Sequence, residues 1–216
     1  MKDWERLRKR MVETQLRKRG IRDKRVLEVM GRVPRHEFVP EWCRGAAYED
    51  EPLLIGAGQT VSQPYMVAAM AEALALEGHE RILEVGAGCG YHAAVLAELS
   101  AEVITIEREP ALVAMARRNL KRLGWPQVKV VEGDGSLGYP PQAPYQAISV
   151  AAGAPDVPFR LLEQLDDDGG RLAIPIGTLD DQELRLIRKQ RGRLSTRVVN
   201  YCRFVPLLGA LAWRVK

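Results

Sequence analysis

The feature that most restricts this chain is a glycine-rich turn set between two different residue patterns. Ile82-Leu83-Glu84-Val85 is a short apolar run, Gly86-Ala87-Gly88-Cys89-Gly90 follows, and residues 91–99 then take helical spacing. A strand that passes through glycines into a helix opens an α/β sheet, and ligands bind at the carboxyl end of such a strand. Glycines let a backbone come close to a ligand, and a helix N-terminus presents N–H groups. The alternation continues downstream. Residues 102–106 read as a strand, 110–123 as a helix with Pro110 in its first turn, and 128–131 and 146–150 as strands. Residues 158–165 read as a short helix and 171–176 as a strand. Strands alternating with helices imply a mostly parallel sheet covered on both faces. Two further strand-like runs, 183–189 and 196–205, join through Gly192, a connection tight enough for an antiparallel pair.

The residues before this region differ in kind. Leu7, Met11, Val12 and Leu16 recur at helical spacing within residues 3–19, whose basic side is expected to face solvent. A second helix is expected over 24–30, ending at Gly31, and Pro34 and Pro40 bracket a turn that contains Phe38. Residues 43–63 show no sustained period and read as irregular, and long irregular stretches in compact domains are often functional. Pro64 then starts a helix running to residue 76. The expected class is α/β: a doubly wound, mostly parallel, Rossmann-like sheet with an N-terminal helical extension and an antiparallel C-terminal strand pair. One domain over 1–216 is expected, with 1–78 supplying helices and a substrate-binding segment and 79–216 the cofactor-binding core.

Composition removes several function classes. Of 216 residues, 46% are hydrophobic, enough for a core and too many for a disordered chain. The formal charge of +4 points weakly to any partner. Cys43, Cys89 and Cys202 are odd in number and match no zinc spacing, which favours a reducing, cytoplasmic setting over a disulfide framework. The charged start of the chain lacks a signal-peptide apolar region, and no run is long and apolar enough to span a bilayer. His36, His79 and His92 form no ligand pair, and Asp156 stands alone, so no metal is expected.

The turn itself narrows the ligand. A dinucleotide fingerprint places its third glycine one position later, where this chain has Tyr91. Glu107 closes the next strand, about 20 residues past Gly86, where a ribose-binding carboxylate belongs. Asp134 follows the third strand within Gly133-Asp134-Gly135. After the fourth strand stand Ala151-Ala152-Gly153-Ala154-Pro155, small and neutral, where nucleic-acid amino-methylating enzymes carry an N-P-P-Y or D-P-P-Y type motif.

The turn resembles the first motif of class I S-adenosylmethionine-dependent methyltransferases. The stretch Gly56-Ala57-Gly58-Gln59-Thr60-Val61-Ser62-Gln63-Pro64-Tyr65 resembles the G-Q-T-I-S-x-P motif of the protein-L-isoaspartate O-methyltransferases. Val33-Pro34-Arg35, Phe38-Val39-Pro40, Ala47-Tyr48, Leu83-Glu84-Val85-Gly86, Gly138-Tyr139-Pro140, Ala143-Pro144-Tyr145 and Phe204-Val205-Pro206-Leu207 resemble that family too, so the likeness runs from about Val33 to Leu207. Gln146, where the family usually has Asp, and Cys89, where it commonly has serine, depart from it; the first reads as structural and the second as a buried, inert thiol.

The resemblance implies the activity. S-adenosylmethionine would donate a methyl group to the free α-carboxylate of L-isoaspartyl residues in damaged proteins and peptides. S-adenosyl-L-homocysteine would be released, and the ester would reclose to succinimide unaided. It implies cofactor contacts from Glu84, Gly86, Gly88, Gly90, Glu107, Arg108, Asp134 and Gly135, with Asp134 at the adenine amino group. It implies acceptor contacts from Thr60, Ser62, Ala152 and Gln182, with Ser62 as the catalytic hydrogen-bond donor. A monomer acting without metal, nucleic acid or membrane is expected. The acceptor, with an ordinary pKa near 4, is already ionised at neutral pH, so no general base is needed. Ser62 could instead cap the helix that begins at Pro64, and Gln182 could be a plain loop residue. Two rival readings are a class I methyltransferase for a small molecule or RNA, which the basic N-terminus supports, and a non-catalytic module that keeps the nucleotide fold.

Overall fold

A computed structural model describes residues 3–214. The chain opens with α1 (Trp4–Met11), capped by the Asp3 side chain, which accepts from the Arg6 N–H at 3.0 Å, and continues as a π-helical stretch, Val12–Arg17. Its basic face is interleaved with acids: Lys9 lies 2.7 Å from Glu5 and Arg17 3.0 Å from Glu13. Next come α2 (Lys24–Met30), capped by Asp23, then α3 (Arg35–Phe38) and a 3₁₀ turn, Glu41–Ala46.

The segment expected to be irregular contains a small hairpin. β1 (Leu53–Gly56) and β2 (Gln59–Val61) pair antiparallel, with Leu54 opposite Thr60. Strands of four and three residues are too short to show a period. Gly56, Ala57 and Gly58 all take positive φ at the bend, a conformation glycine adopts cheaply. Directly after it α4 (Pro64–Leu74) begins with proline in its first turn.

The remaining elements are β3 (Arg81–Val85), α5 (Tyr91–Ala97), β4 (Glu102–Glu107), α6 (Pro110–Leu123), β5 (Lys129–Glu132), β6 (Ala147–Val150), α7 (Phe159–Glu163), β7 (Asp168–Gly177), β8 (Gln182–Gln190) and β9 (Arg193–Cys202). One seven-stranded sheet has the order β5-β4-β3-β6-β7-β8-β9. Pairings from β5 through β7 are parallel, and β7–β8 and β8–β9 are antiparallel. The order reverses between β3 and β6, the crevice where α/β sheets hold ligands.

Alternation along the strands sorts two cores. Ile82, Val103, Ala147, Ala173 and Leu184 face α4, α5 and the N-terminal helices. Leu83, Ile104, Ile148, Leu172 and Ile174 face α7 and the C-terminal segment around Leu207. Met11 and Leu184 belong to the same buried cluster, so the N-terminal helices and the sheet share one interior. Gln146 is structural, since its side chain accepts from the Arg81 N–H at 2.9 Å.

Candidate active site

The carboxyl ends of β3, β4 and β6 surround an open cleft. Its walls include Val85, Gly86, Gly88, Ile106, Glu107 and Gly135. Arg108 lines it, as do Thr60 and Ala152. The residues 205–208 form its C-terminal side.

Glu107 organises the cofactor half. Its Oε2 accepts the Gly88 N–H at 2.9 Å, and its Oε1 accepts the N–H groups of Arg108 at 2.8 Å and Glu109 at 3.1 Å. Two more glycine amides of the loop are committed internally: Gly86 donates to the Ile106 carbonyl and Gly90 to that of Ala87. The amides of Gly86, Gly88 and Gly90 are thus turned inward. A phosphate-binding turn needs such amides, whereas a nucleoside without phosphate needs close approach and a carboxylate for its diol. The donor set therefore suits an adenosyl group better than a dinucleotide.

Three residues expected at the cofactor lie elsewhere. Gly90 turns from the cleft: a Cβ there would meet Leu120 Cγ at 3.1 Å, so its glycine serves packing against α6. Asp134 faces the neighbouring hollow, where its Oδ1 accepts from the Ser136 N–H and hydroxyl at 2.9 and 2.7 Å and its Oδ2 from the Ala210 N–H at 2.7 Å. Three of its acceptor sites are engaged by the chain, the same number as on Glu107, which leaves Oδ2 able to accept one more hydrogen bond. Glu84 is fully buried below the turn, with Oε2 accepting from the Thr105 hydroxyl at 2.5 Å. Burial pushes its carboxyl up to about 8.

The acceptor half adjoins directly. Thr60 and Ala151 line the cleft and also a hollow that contains Ser62, Met66, Arg203 and Phe204. The same two residues, with Ser62, Gly86, Gly88 and His92, line a further recess beneath the turn. The N-cap of α4 is Gln63, so Ser62 does not cap that helix. Gln182 does not reach these hollows. It is buried, its Oε1 accepts the Phe204 N–H at 2.8 Å, and its Nε2 donates to the carbonyls of Thr178 at 3.0 Å and Phe204 at 3.3 Å. It braces the segment that forms the wall and lines a groove on the other side. Cys89 is buried and its thiol is pushed up to about 11, as an inert core thiol should be. No group of three or more possible metal ligands occurs among the described residues.

Comparison with known proteins identifies the lineage. The family model for protein-L-isoaspartate(D-aspartate) O-methyltransferase matches residues 6–212. The chain belongs to that family. It is 50% identical over 207 residues to the protein-L-isoaspartate O-methyltransferase of Methanoculleus marisnigri, covering 96% of this chain and 94% of that one. It is 54% identical over 209 residues to protein-L-isoaspartate O-methyltransferase 2 of Marinobacter nauticus, covering 96% and 95%. A solved protein-L-isoaspartate O-methyltransferase superposes with a TM-score of 0.85 at 31% identity, over 95% of this chain and 67% of that one. A Plasmodium falciparum structure named for the same methyltransferase, in complex with S-adenosyl-L-homocysteine, gives 0.81 at 28%, over 93% and 98%.

Four features that line the candidate site carry no role in the sequence reading. The β1–β2 hairpin was hidden by its short strands. The wall at 205–208 was visible only as a family-like stretch without a role. Arg203 carries no pattern, and His92 was set aside because it forms no metal-ligand pair.

Proposed function

We propose that this chain transfers the methyl group of S-adenosylmethionine to the α-carboxylate of L-isoaspartyl residues in proteins and peptides. One observation carries the reading. Thr60 and Ala151 belong both to the cleft that Glu107 closes and to the hollow that holds Ser62, so the acceptor donors open straight onto the cofactor side. The cofactor residues of this reading are Gly86, Gly88, Glu107, Arg108 and Gly135, and the acceptor residues are Thr60, Ser62 and Ala152. Asp134 and Gln182 support them from behind.

When bound, S-adenosylmethionine supplies a methyl group carried on a sulfonium and leaves as S-adenosyl-L-homocysteine. The chain's own task is placement. The Ser62 hydroxyl donates to one carboxylate oxygen, and Thr60 stands beside it. The other oxygen is thereby left free to take the methyl group that S-adenosylmethionine would supply, which would give a neutral ester with no proton to remove. Charge is lost along that path, so water is best excluded, and Val85, Ile106, Val205 and Leu207 supply apolar walls. Small side chains at Ala151 and Ala152 leave room for a peptide backbone, which would be read with broad tolerance of its flanking residues.

Residues 1–78 contribute Thr60 and Ser62 and residues 79–216 contribute Ala152 and the cofactor side, so one chain holds every residue of this reading and a monomer suffices. The three cysteines are free, which suits the cytoplasm. No helix among the described residues is long and apolar enough to cross a membrane. The deciding assay offers methyl-labelled S-adenosylmethionine with matched Asp and isoAsp peptides. Base-labile label on the isoAsp peptide alone is the expected result, and no label on either overturns the reading.

A further inference from the structure

A buried polar row crosses the centre of the sheet without serving the residues above. Thr105 on β4, Glu84 on β3 and Ser149 on β6 are register partners, and all three are fully buried. α5 packs over this row and brings His92 to it. The His92 Nδ1 lies 3.5 Å from Glu84 Oε1. His92 also lines the recess that holds Thr60, Ser62 and Ala151. Its Nε2 is buried and has no partner, as are Glu84 Oε1 and Ser149 Oγ. Unpaired buried polar atoms are costly, and a row of them beside a binding recess calls for a ligand.

We propose that His92 is a further acceptor-positioning residue: its Nε2–H donates to the isoaspartyl carboxylate beside Ser62, and Glu84, as a neutral acid donating to Nδ1, fixes that tautomer. The proposal rests on the methyl-transfer reading above. Thr105 donates to one carboxyl oxygen, and the other, without a hydrogen-bond partner, lies nearest the imidazole. The 3.5 Å separation is long, as such contacts commonly are before substrate tightens them. Burial holds the imidazole down near 4 and the carboxyl up near 8, so at neutral pH the ring is uncharged and the acid keeps its proton. A neutral donor suits the place: an imidazolium beside a sulfonium would repel the cofactor, whereas an N–H orients an anion without adding charge.

The pair then imposes a pH dependence. Once Glu84 ionises it accepts from Nδ1–H, Nε2 turns into an acceptor, and its lone pair faces the carboxylate. Around the pair stand Thr105 and Glu107 from β4, Ser149 from β6, Cys89 from the turn with Arg35 of α3 beyond it, and Val67 from α4. Cys89 titrates only near 11, so Glu84 is the group that changes near 8.

The test follows initial rates of methyl transfer to an end-blocked isoAsp peptide from pH 6 to 9.5 and His92 imidazole ¹⁵N shifts over the same range. His92→Leu should raise the peptide KM about tenfold while the S-adenosylmethionine KM stays within about twofold, and His92→Gln, which restores an N–H donor, should recover most of it. The wild-type peptide KM should rise above pH 8 as the ¹⁵N shifts report the change of tautomer. Glu84→Gln, whose carboxamide donates at every pH, should abolish both changes. Methylation by the wild type with an unmoved KM in His92→Leu, or the same pH profile in Glu84→Gln, overturns this inference alone. A wild type inactive on isoAsp peptide overturns it together with the activity it rests on. If His92→Leu does not fold, the Gln variants and the ¹⁵N shifts still decide.

Discussion

The two halves of the site are built in opposite ways. On the cofactor side the chain satisfies itself: Glu107 takes three backbone N–H groups, and Asp134 ties Ser136 to the C-terminal segment through Ala210. On the acceptor side the recess holds the Ser62 and Thr60 hydroxyls, and the His92 Nε2 is buried without a partner. The difference teaches what each half must do. A cofactor of fixed shape needs a rigid frame whose hydrogen bonds hold before it arrives. An anionic peptide needs donors that are free to reach it.

The largest effect should come from breaking the frame. Glu107→Ala removes three charge-assisted hydrogen bonds within the turn and the carboxylate meant for the ribose. At about 1.5–3 kcal/mol for each of the two hydrogen bonds that the ribose hydroxyls would donate, their loss lowers S-adenosylmethionine affinity by roughly a hundredfold or more. Calorimetric titration checks this, and a variant that binds like the wild type would show that the frame is not what holds the cofactor. Ser62→Ala tests the other half. Loss of one hydrogen bond to a charged acceptor should cut kcat/KM for an isoAsp peptide about tenfold to a hundredfold, with cofactor affinity within about twofold. Equal losses in both quantities would erase the distinction between the halves.

Glu84 lies under both halves and gives a smaller, signed effect on stability. Folded, its carboxyl titrates near 8, while unfolded it does so near 4.5. Between those values the folded state holds a proton that the unfolded chain gives up, so stability falls as pH rises through the window. His92 acts oppositely: held down near 4 against 6.5, it makes stability rise with pH until about 6.5. From pH 6.5 to 8 only the Glu84 slope of the pair remains, at most about 1.4 kcal/mol per pH unit. Denaturant melts of Glu84→Gln should lack that fall. A wild-type-like slope in the variant would place the proton elsewhere.

What the sequence made legible follows from how each half is encoded. The frame is written in residue types that have few other uses in those places, such as Gly86 and Gly88 at one strand end and Glu107 at the next. The alternation of strands and helices through β7 and the final antiparallel pair were likewise readable from period and glycine turns, whereas the order of the strands in the sheet was not. The supporting contacts were not. Asp134 and Gln182 sit where a family pattern expects ligand contacts, and each also binds the chain itself, through Ala210 and Phe204, residues about 75 and 20 positions away. Sequence patterns describe neighbours along one element, and such long-range partners leave no periodic trace. His92 escaped for the same reason, because only packing of α5 on the sheet joins it to Glu84.

The smallest effect belongs at the joint between the halves. Gly153 donates its N–H to the Val205 carbonyl at 2.8 Å, and its own carbonyl accepts from the Trp213 indole at 3.1 Å. A Cβ at this position would stand 2.5 Å from the Gln182 carboxamide, which is itself held by Phe204 and Thr178. Gly153→Ala must therefore displace Gln182, and with it the wall that carries Arg203, Phe204 and Val205 into the acceptor hollow. The end of a side chain yields more cheaply than backbone, so the cost should fall at the low end for overpacking, about 1 kcal/mol, lowering Tm by about 2–4 °C. The acceptor side should feel it first, as a raised KM for isoAsp peptide with cofactor affinity unchanged. If cofactor affinity falls instead and the peptide KM stays put, Gln182 braces the frame rather than the acceptor wall.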